Sequence, residues 1–285
     1  MMQAKPSDLL QGKPLPFRLA AVDLDETLLG PDKQISPQNA AAVRRLQAQG
    51  IRVMLASGRK HENMLGFHHQ LGLEGPIVSS GGALVKHAET GEVLLQSPVA
   101  VALAKSLAEE GVQRGVTLIV YHFNGVYVYE RTPWVDLYEK QTGEQVKVCH
   151  DLQELTANSP LKVIWADEAE RISQFLSEMR DAYGDRLDLL TTEPYNLEFT
   201  TIGVNKAVGI AVVAEKLGIH PTEILAFGDG NNDVSMLKWA GLGVAMSHAR
   251  ASAQAAADLI APEGDRETSF ARAVEVALAQ TRIAA

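Results

Sequence analysis

Two aspartates, Asp23 and Asp25, stand two residues apart at the end of the apolar run Leu19-Ala20-Ala21-Val22. Residues i and i+2 of an extended strand point to the same side, so both carboxylates can face one pocket. Ionised side by side they repel, and a pair held that close is tolerated when a cation or a shared proton lies between them. The pair is therefore a candidate for metal-assisted chemistry. By itself it is unspecific, because acidic pairs end many strands and glycosyltransferases also use one to hold a metal-bound nucleotide sugar.

Three other groups could join it. Ser57-Gly58-Arg59 follows a second apolar run, Ile51 to Ala56; its hydroxyl and the backbone amides freed by Gly58 can hold a phosphate oxygen. Arg59 can contact substrate or pair with a core acid. Lys206 opens a helix, where a cation opposes the local dipole unless an anion lies beside it. In Gly228-Asp229-Gly230-Asn231-Asn232-Asp233, two more acids four residues apart straddle a strand-to-helix turn. Each group has a plainer use: a turn cap at Asp23 or Asp25, an ordinary turn at Ser57-Gly58, a solvated lysine, an N-cap at Asp229 or Asn231. Their agreement is that all four fall where strands end, the edge of an open parallel sheet at which ligands bind.

The elements that must position them alternate. After the first strand, Ser36-Pro37 is an N-cap before a first-turn proline, and Gly50 stops that helix. The strand Ile51 to Ala56, a polar helix from about His61 to Leu71 and the strand Pro76 to Ser79 follow, which predicts a doubly wound, mainly parallel α/β sheet. Beyond Gly82 the texture changes: Val116 to His122 and Gly125 to Glu130 read as a hairpin around Phe123-Asn124, and further strands flank a helix from Glu168 to Tyr183. This predicts an inserted α+β unit over 86–200 within a core of 17–85 and 201–285. From Gly203 the α/β rhythm returns, with a helix from Lys206 to Leu217, strands at Ile224 to Phe227, Gly241 to Met246 and Asp258 to Ala261, and a closing helix.

Composition sets limits. The chain has 285 residues, 46% of them hydrophobic, enough for a sizeable core. Its net charge of -9 with no basic block argues against nucleic acid as a partner. The single cysteine, Cys149, excludes an internal disulfide framework and is expected to be a buried spectator. Residues 1–16 read as a disordered leader without a signal-peptide core, and no apolar run is long enough to span a bilayer. A cytoplasmic protein without a membrane partner is expected. Oligomeric state leaves no readable mark.

In order and spacing these motifs resemble the haloacid dehalogenase superfamily of phosphohydrolases. Its pattern is Asp-x-Asp, a Ser or Thr ending the second strand, a Lys opening a later helix, and Gly-Asp-x-x-Asn-Asp. The insertion between Ser57 and Lys206, with Gly203-Val204-Asn205-Lys206 and Gly243-Val244-Ala245-Met246, is similar to the Cof-type subfamily, whose cap domain enters after the third strand. The resemblance implies a magnesium-dependent phosphatase of small phosphate monoesters such as sugar phosphates, working through an aspartyl-phosphate. It assigns Asp23 as nucleophile and Asp25 as proton carrier, and Ser57, Gly58, Lys206 and Asn232 as the phosphate grip. It assigns the Asp23 carboxylate, the Asp25 backbone carbonyl and Asp229 as metal ligands, with Asp233 a ligand or just behind them.

Three places depart from the subfamily pattern. Gly81 stands where Asn usually precedes Gly-Ala, Ser247-His248 where Gly-Asn is usual, and Glu263-Gly264-Asp265-Arg266 where a loop usually contains Asn. These positions lie at the pocket rim in relatives, which makes Gly82 and His248 candidates for substrate contact; Arg59 is a third, from its place beside Ser57. His61, His68 and His69 are expected to be solvated. His122, Tyr127, Tyr129 and Trp134 of the insert can line a pocket or fill the core. A phosphotransferase of the same superfamily shares all four motifs and differs only in its acceptor. A signalling receiver domain also carries acids, a hydroxyl and a lysine, but in another order and in a much shorter chain.

Overall fold

The computed structural model describes residues 17–283, so the expected leader lies outside the described residues. In chain order the first elements are β1 (Leu19–Val22), α1 (Pro37–Ala48), β2 (Arg52–Leu55), α2 (Glu62–Gln70), β3 (Pro76–Ser79), β4 (Leu84–His87) and β5 (Val93–Gln96). The middle of the chain gives α3 (Val101–Arg114), β6 (Thr117–His122), β7 (Gly125–Val128), α4 (Pro133–Thr142), β8 (Lys147–Val148), α5 (Leu152–Thr156), β9 (Lys162–Ala166), α6 (Ala169–Tyr183), β10 (Leu187–Thr191) and β11 (Asn196–Thr201). The last third gives α7 (Lys206–Leu217), β12 (Ile224–Gly228), α8 (Val234–Trp239), β13 (Leu242–Ala245), α9 (Ala251–Ala256), β14 (Leu259–Ile260) and α10 (Ser269–Ile283). These form two compact units, one reaching up to Gly58 and continuing through Met64–Leu94 and from Asn205 onward, the other Arg59–Asn63 with Leu95–Val204.

The first unit is built on an all-parallel sheet in the order β14-β13-β12-β1-β2. A parallel bridge from Ala56 to Val78 brings β3 to its edge. β1 is buried along its whole length, as a central strand covered on both faces must be. The chain steps outward from β1 to β2 and β3, returns through β12, and steps out the other way. The sheet thus reverses its winding beside β1, the position that leaves a crevice at the carboxyl ends of the strands. Ser36 Oγ accepts the Asn39 amide at 3.1 Å, capping α1 as its sequence predicts. β3, β4 and β5 form a small sheet of their own, with β3 and β4 antiparallel, and residues 86–94, expected at the start of the insert, belong to the first unit, whereas the expected hairpin is β6 and β7 of the second.

The second unit is a six-stranded sheet in the order β10-β11-β9-β6-β7-β8, antiparallel except for β7 with β8. Alternation along the strands sorts its faces. Leu118, Val120, Val163, Trp165, Leu197 and Phe199 enter one hydrophobic cluster with Leu107, Ile172, Phe175 and Met179. The intervening residues Tyr121, Lys162 and Glu198 carry polar ends: Lys162 Nζ bonds Glu198 Oε2 at 3.0 Å, and the hydroxyls of Tyr121 and Tyr138 meet at 2.5 Å. His122 belongs to the core, its Nε2 2.8 Å from the Leu155 carbonyl oxygen and its ring edge-on to Tyr127. Tyr127 and Tyr129 pack against the hydrophobic cluster, whereas Trp134 stacks on Tyr195.

Several expectations need correcting. β1 ends at Val22, so Asp23 and Asp25 lie in the turn after the strand, not on it. Their φ and ψ stay extended, and buried Leu24 between them keeps the alternation. His61 and His68 are buried, at 1% exposure each: His68 shares the inward face of α2 with Met64, and His61 lies in the turn before that helix; only His69 meets the expectation of solvent. Cys149 is half-buried, not enclosed, and its thiol lies 3.4 Å from the Asp151 carbonyl oxygen.

Candidate active site

The four groups from the sequence converge at one end of the parallel sheet. The Asp23 amide bonds the Phe227 carbonyl at 3.0 Å, which ties the first motif to the end of β12. Thr27 Oγ1 donates to Asp229 Oδ1 at 3.1 Å, which ties it to the acidic turn as well. A Cβ placed on Gly58 would lie 3.7 Å from the Asn232 amide nitrogen, so the ends of β2 and β12 are neighbours. Ser57 is buried at 2% exposure, with its amide on the Val78 carbonyl oxygen at 2.9 Å and its carbonyl receiving the Gly81 amide at 3.0 Å.

Lys206 is the centre. Its side chain is fully buried, and its Nζ lies 2.5 Å from Asp23 Oδ1 and 2.6 Å from Asp233 Oδ1. The anion that a lysine at a helix start requires is therefore a pair of carboxylates. Asn205 caps α7 by accepting the Val208 amide at 3.2 Å, fixing where that lysine begins. Asp233 uses its other oxygen on the amides of Asp229 and Gly230, at 2.9 and 2.8 Å. Gly228 makes this turn possible, because a Cβ there would sit 2.5 Å from the Asp233 side chain.

Oxygens of Asp23, Asp229 and Asp233 lie within 4.8 Å of one another. Three carboxylates against one ammonium leave an excess of negative charge, and an oxygen-only donor set suits a hard divalent cation. The electrostatics agree. Burial, then the charge of Asp233, push the Asp23 carboxyl up to about 7, with Lys206 pulling the other way. Burial and the neighbouring Asp23 likewise raise Asp229 well above the usual carboxylate range. Burial disfavours the Lys206 ammonium, but the charges of Asp23 and Asp233 outweigh it and hold that group above an ordinary lysine.

Other sequence candidates divide. Asp25 is partly exposed and pairs with Lys33, Nζ to Oδ1 at 3.2 Å. His248 is half-buried, with Nε2 2.7 Å from the Glu26 carbonyl oxygen. Gly82 has a structural reason to be glycine: its φ is +104° and a Cβ would lie 2.1 Å from the Asn205 carbonyl oxygen. Arg59 is buried in the second unit, its Nη1 3.4 Å from the Thr142 carbonyl oxygen. Sequence reading assigned nothing to Thr27, Glu26 or Lys33. Thr27 sits in the same motif as the aspartates, but only the folded chain shows its hydroxyl on Asp229.

This fold and this constellation define a hydrolase class. The profile of the haloacid dehalogenase-like hydrolase family matches residues 20–273, and the chain belongs to that family. It is 26% identical over 235 residues to the HMP-PP phosphatase of Citrobacter koseri, covering 81% of this chain and 85% of that one. It is 30% identical over 237 residues to the 5-amino-6-(5-phospho-D-ribitylamino)uracil phosphatase YitU of Bacillus subtilis, covering 81% and 86%. It is also 27% identical over 263 residues to the chloroplastic endoribonuclease YBEY of Arabidopsis thaliana, but spans only 45% of that protein and 88% of itself. Among solved structures, a haloacid dehalogenase-like hydrolase from Bacteroides thetaiotaomicron aligns with a TM-score of 0.81 at 28% identity, over 92% of this chain and 99% of that one.

Proposed function

We propose that the chain hydrolyses small phosphate monoesters, sugar phosphates or similar metabolites, with magnesium and through an aspartyl-phosphate on Asp23. The chain is a phosphatase: its family is one of hydrolases, and relatives that it spans almost fully are named phosphatases. The observation that carries the finer reading is the buried Lys206 bonded to both Asp23 and Asp233, in a cluster that Asp229 completes. Its net charge of -9 and single cysteine fit a cytoplasmic enzyme of small metabolites and not a nucleic-acid partner.

Lys206 holds Asp23 Oδ1, so attack on phosphorus falls to Oδ2. The new Asp23 O–P bond forms as the ester P–O bond breaks in line, and the departing alkoxide takes the proton of Asp25. Asp25 then accepts a proton from a water whose oxygen attacks the same phosphorus, and Asp23 leaves as a carboxylate with inorganic phosphate released. Ser57, the Gly58 amide, Lys206 and Asn232 hold the non-bridging oxygens where charge accumulates. Asp23, the Asp25 carbonyl and Asp229 would hold a magnesium ion, which would supply neutralising charge to the transferring group. Asp233, with both oxygens already committed, orients Lys206 and the acidic turn. The second unit, inserted between Ser57 and Lys206, is the candidate for selecting the organic part of the ester.

The test is Asp23→Asn with p-nitrophenyl phosphate and a panel of metabolite esters, assayed with and without magnesium. Loss of all magnesium-dependent phosphate release in a folded variant is expected. Retained turnover excludes Asp23 as nucleophile, and phosphate passed to a sugar without release of free phosphate replaces the hydrolase with a phosphotransferase.

A further inference from the structure

The turn that carries Asp25 is held in an unusual way. Glu26 has φ 58° and ψ 5°, the left-handed region that residues other than glycine adopt at a cost. Three groups fix it there. The His248 imidazole lies 2.7 Å from the Glu26 carbonyl oxygen, Lys33 Nζ lies 3.2 Å from Oε1, and Arg266 Nη1 lies 3.4 Å from Oε2. His248 and Arg266 belong to two of the three places where this chain departs from the subfamily pattern. Both departures thus meet on one residue.

The tether does not stop at Glu26. The same Lys33 ammonium lies 3.2 Å from Asp25 Oδ1, and Lys33 itself has φ 60°. Two acids and two bases therefore alternate in space: Asp25, Lys33, Glu26, Arg266. Asp25 needs such a device more than Asp23 does. Asp23 is 4% exposed and fixed by burial, whereas the Asp25 side chain is 36% exposed and must take its direction from contacts. None of the three partners lies in the acidic cluster with Lys206.

We infer that Glu26 and Lys33 are positioning residues for Asp25: Glu26, pinned by Arg266 and His248, holds the Lys33 ammonium against the Asp25 carboxyl and so aims it at the leaving oxygen. The inference rests on the proposed role of Asp25 as proton carrier. An acid that is out of line matters most where the leaving oxygen most needs its proton, and little where it departs readily as an anion.

Phenyl phosphate and p-nitrophenyl phosphate provide the comparison, being close in shape and far apart in leaving ability. kcat/KM reports the steps up to the first P–O cleavage, so it isolates protonation of the leaving group. Glu26→Gly is the cleaner variant, because glycine suits the turn's backbone and the fold is not put at risk. Glu26→Gly and Lys33→Met are each expected to lower kcat/KM for phenyl phosphate about 10-fold more than for p-nitrophenyl phosphate, with Lys33→Arg recovering part of the loss. Equal losses on the two esters, or none on either, with an active parent chain would overturn the inference and leave the phosphatase reading standing. A parent chain that hydrolyses neither ester would overturn both.

Discussion

Lys206 Nζ and Asp23 Oδ1 lie 2.5 Å apart, although the two residues are 183 positions apart in the chain and both are almost fully enclosed. The contact joins the start of α7 to the end of β1. It puts one buried cation among three acids, and an ammonium so placed has nowhere to go: each carboxylate that it touches would otherwise face another.

Removing it should therefore cost stability as well as turnover. Breaking one side of a buried charge pair leaves the other uncompensated, typically at a cost of about 3–5 kcal/mol. Lys206→Met is expected to lose that order of stability at pH 8 and less at pH 5, where Asp23, with its carboxyl pushed up to about 7, takes a proton. Denaturant unfolding at the two pH values checks it; a penalty independent of pH would mean that the acids are not coupled through Lys206. Hydrolysis should fall by at least about 100-fold if Lys206 also holds the transferring oxygens, as the proposed mechanism has it.

Asp23 gives a second pH signature. Its folded carboxyl, at about 7, lies above the ordinary 3.8, so the folded chain holds more protons than the unfolded one between those values. This group's stabilising contribution is therefore present below pH 4 and is lost as pH rises towards about 7, the reverse of an ion-paired aspartate. In metal-free protein, Asp23→Asn should flatten the decline in melting temperature that the parent shows from this source between pH 5 and pH 7.5. Magnesium binding should expel protons near pH 6.5 and few at pH 8.5, measured by calorimetry in buffers of different ionisation enthalpy. Proton release that does not change with pH would contradict the raised carboxyl.

What the sequence carried of this site is what local spacing can carry. Asp23 and Asp25 after an apolar run, Ser57-Gly58 after another, and Gly228 to Asp233 before a helix each mark a strand end without help from the rest of the chain. Lys206 was legible because a cation at a helix start is out of place. Glu26 and Lys33 were not, since an acid and a lysine near a turn usually meet solvent, and only the backbone's φ near +60° and the contacts to Arg266 and His248 set them apart. His68 misled for a related reason: α2 is polar in composition, yet one face turns inward. The short pieces α5, β5 and β8 have too few residues for periodicity to show against the prolines, glycines and charges around them.

His122 provides a test in the second unit. Burial lowers its pKa below the usual 6.5, although hydrogen bonds to the backbone at Leu155 and Asn158 pull the other way. A histidine kept neutral by the fold must be charged in the unfolded chain at low pH, so its contribution is complete above about pH 6.5 and is lost as pH falls through and below it. His68, lowered by burial in the first unit, acts in the same direction. Replacing His122 by Gln should leave a smaller loss of stability between pH 7 and pH 5 than the parent suffers, by urea unfolding. An unchanged pH slope would mean that His122 titrates as freely in the fold as outside it.

Gly82 tests how closely the small antiparallel sheet's first turn must approach the start of α7. The Gly82 backbone has φ +104°, and a methyl group there would lie 2.1 Å from the Asn205 carbonyl oxygen and 3.1 Å from the Lys206 amide nitrogen. Gly82→Ala must therefore bear both a left-handed backbone and a displacement of the residues that launch Lys206. A suitable control is Gly72→Ala, whose φ is +60° with no atom within 4 Å of the new methyl, so that it bears the backbone cost alone. Gly72→Ala is expected to cost about 1 kcal/mol and Gly82→Ala at least about 3. Because the collision falls on the residues that launch Lys206, Gly82→Ala should also lose hydrolysis well below its melting temperature, whereas Gly72→Ala keeps it. Equal stability costs for the two variants would show that Asn205 does not stand against Gly82, and that the lysine's position is set from elsewhere.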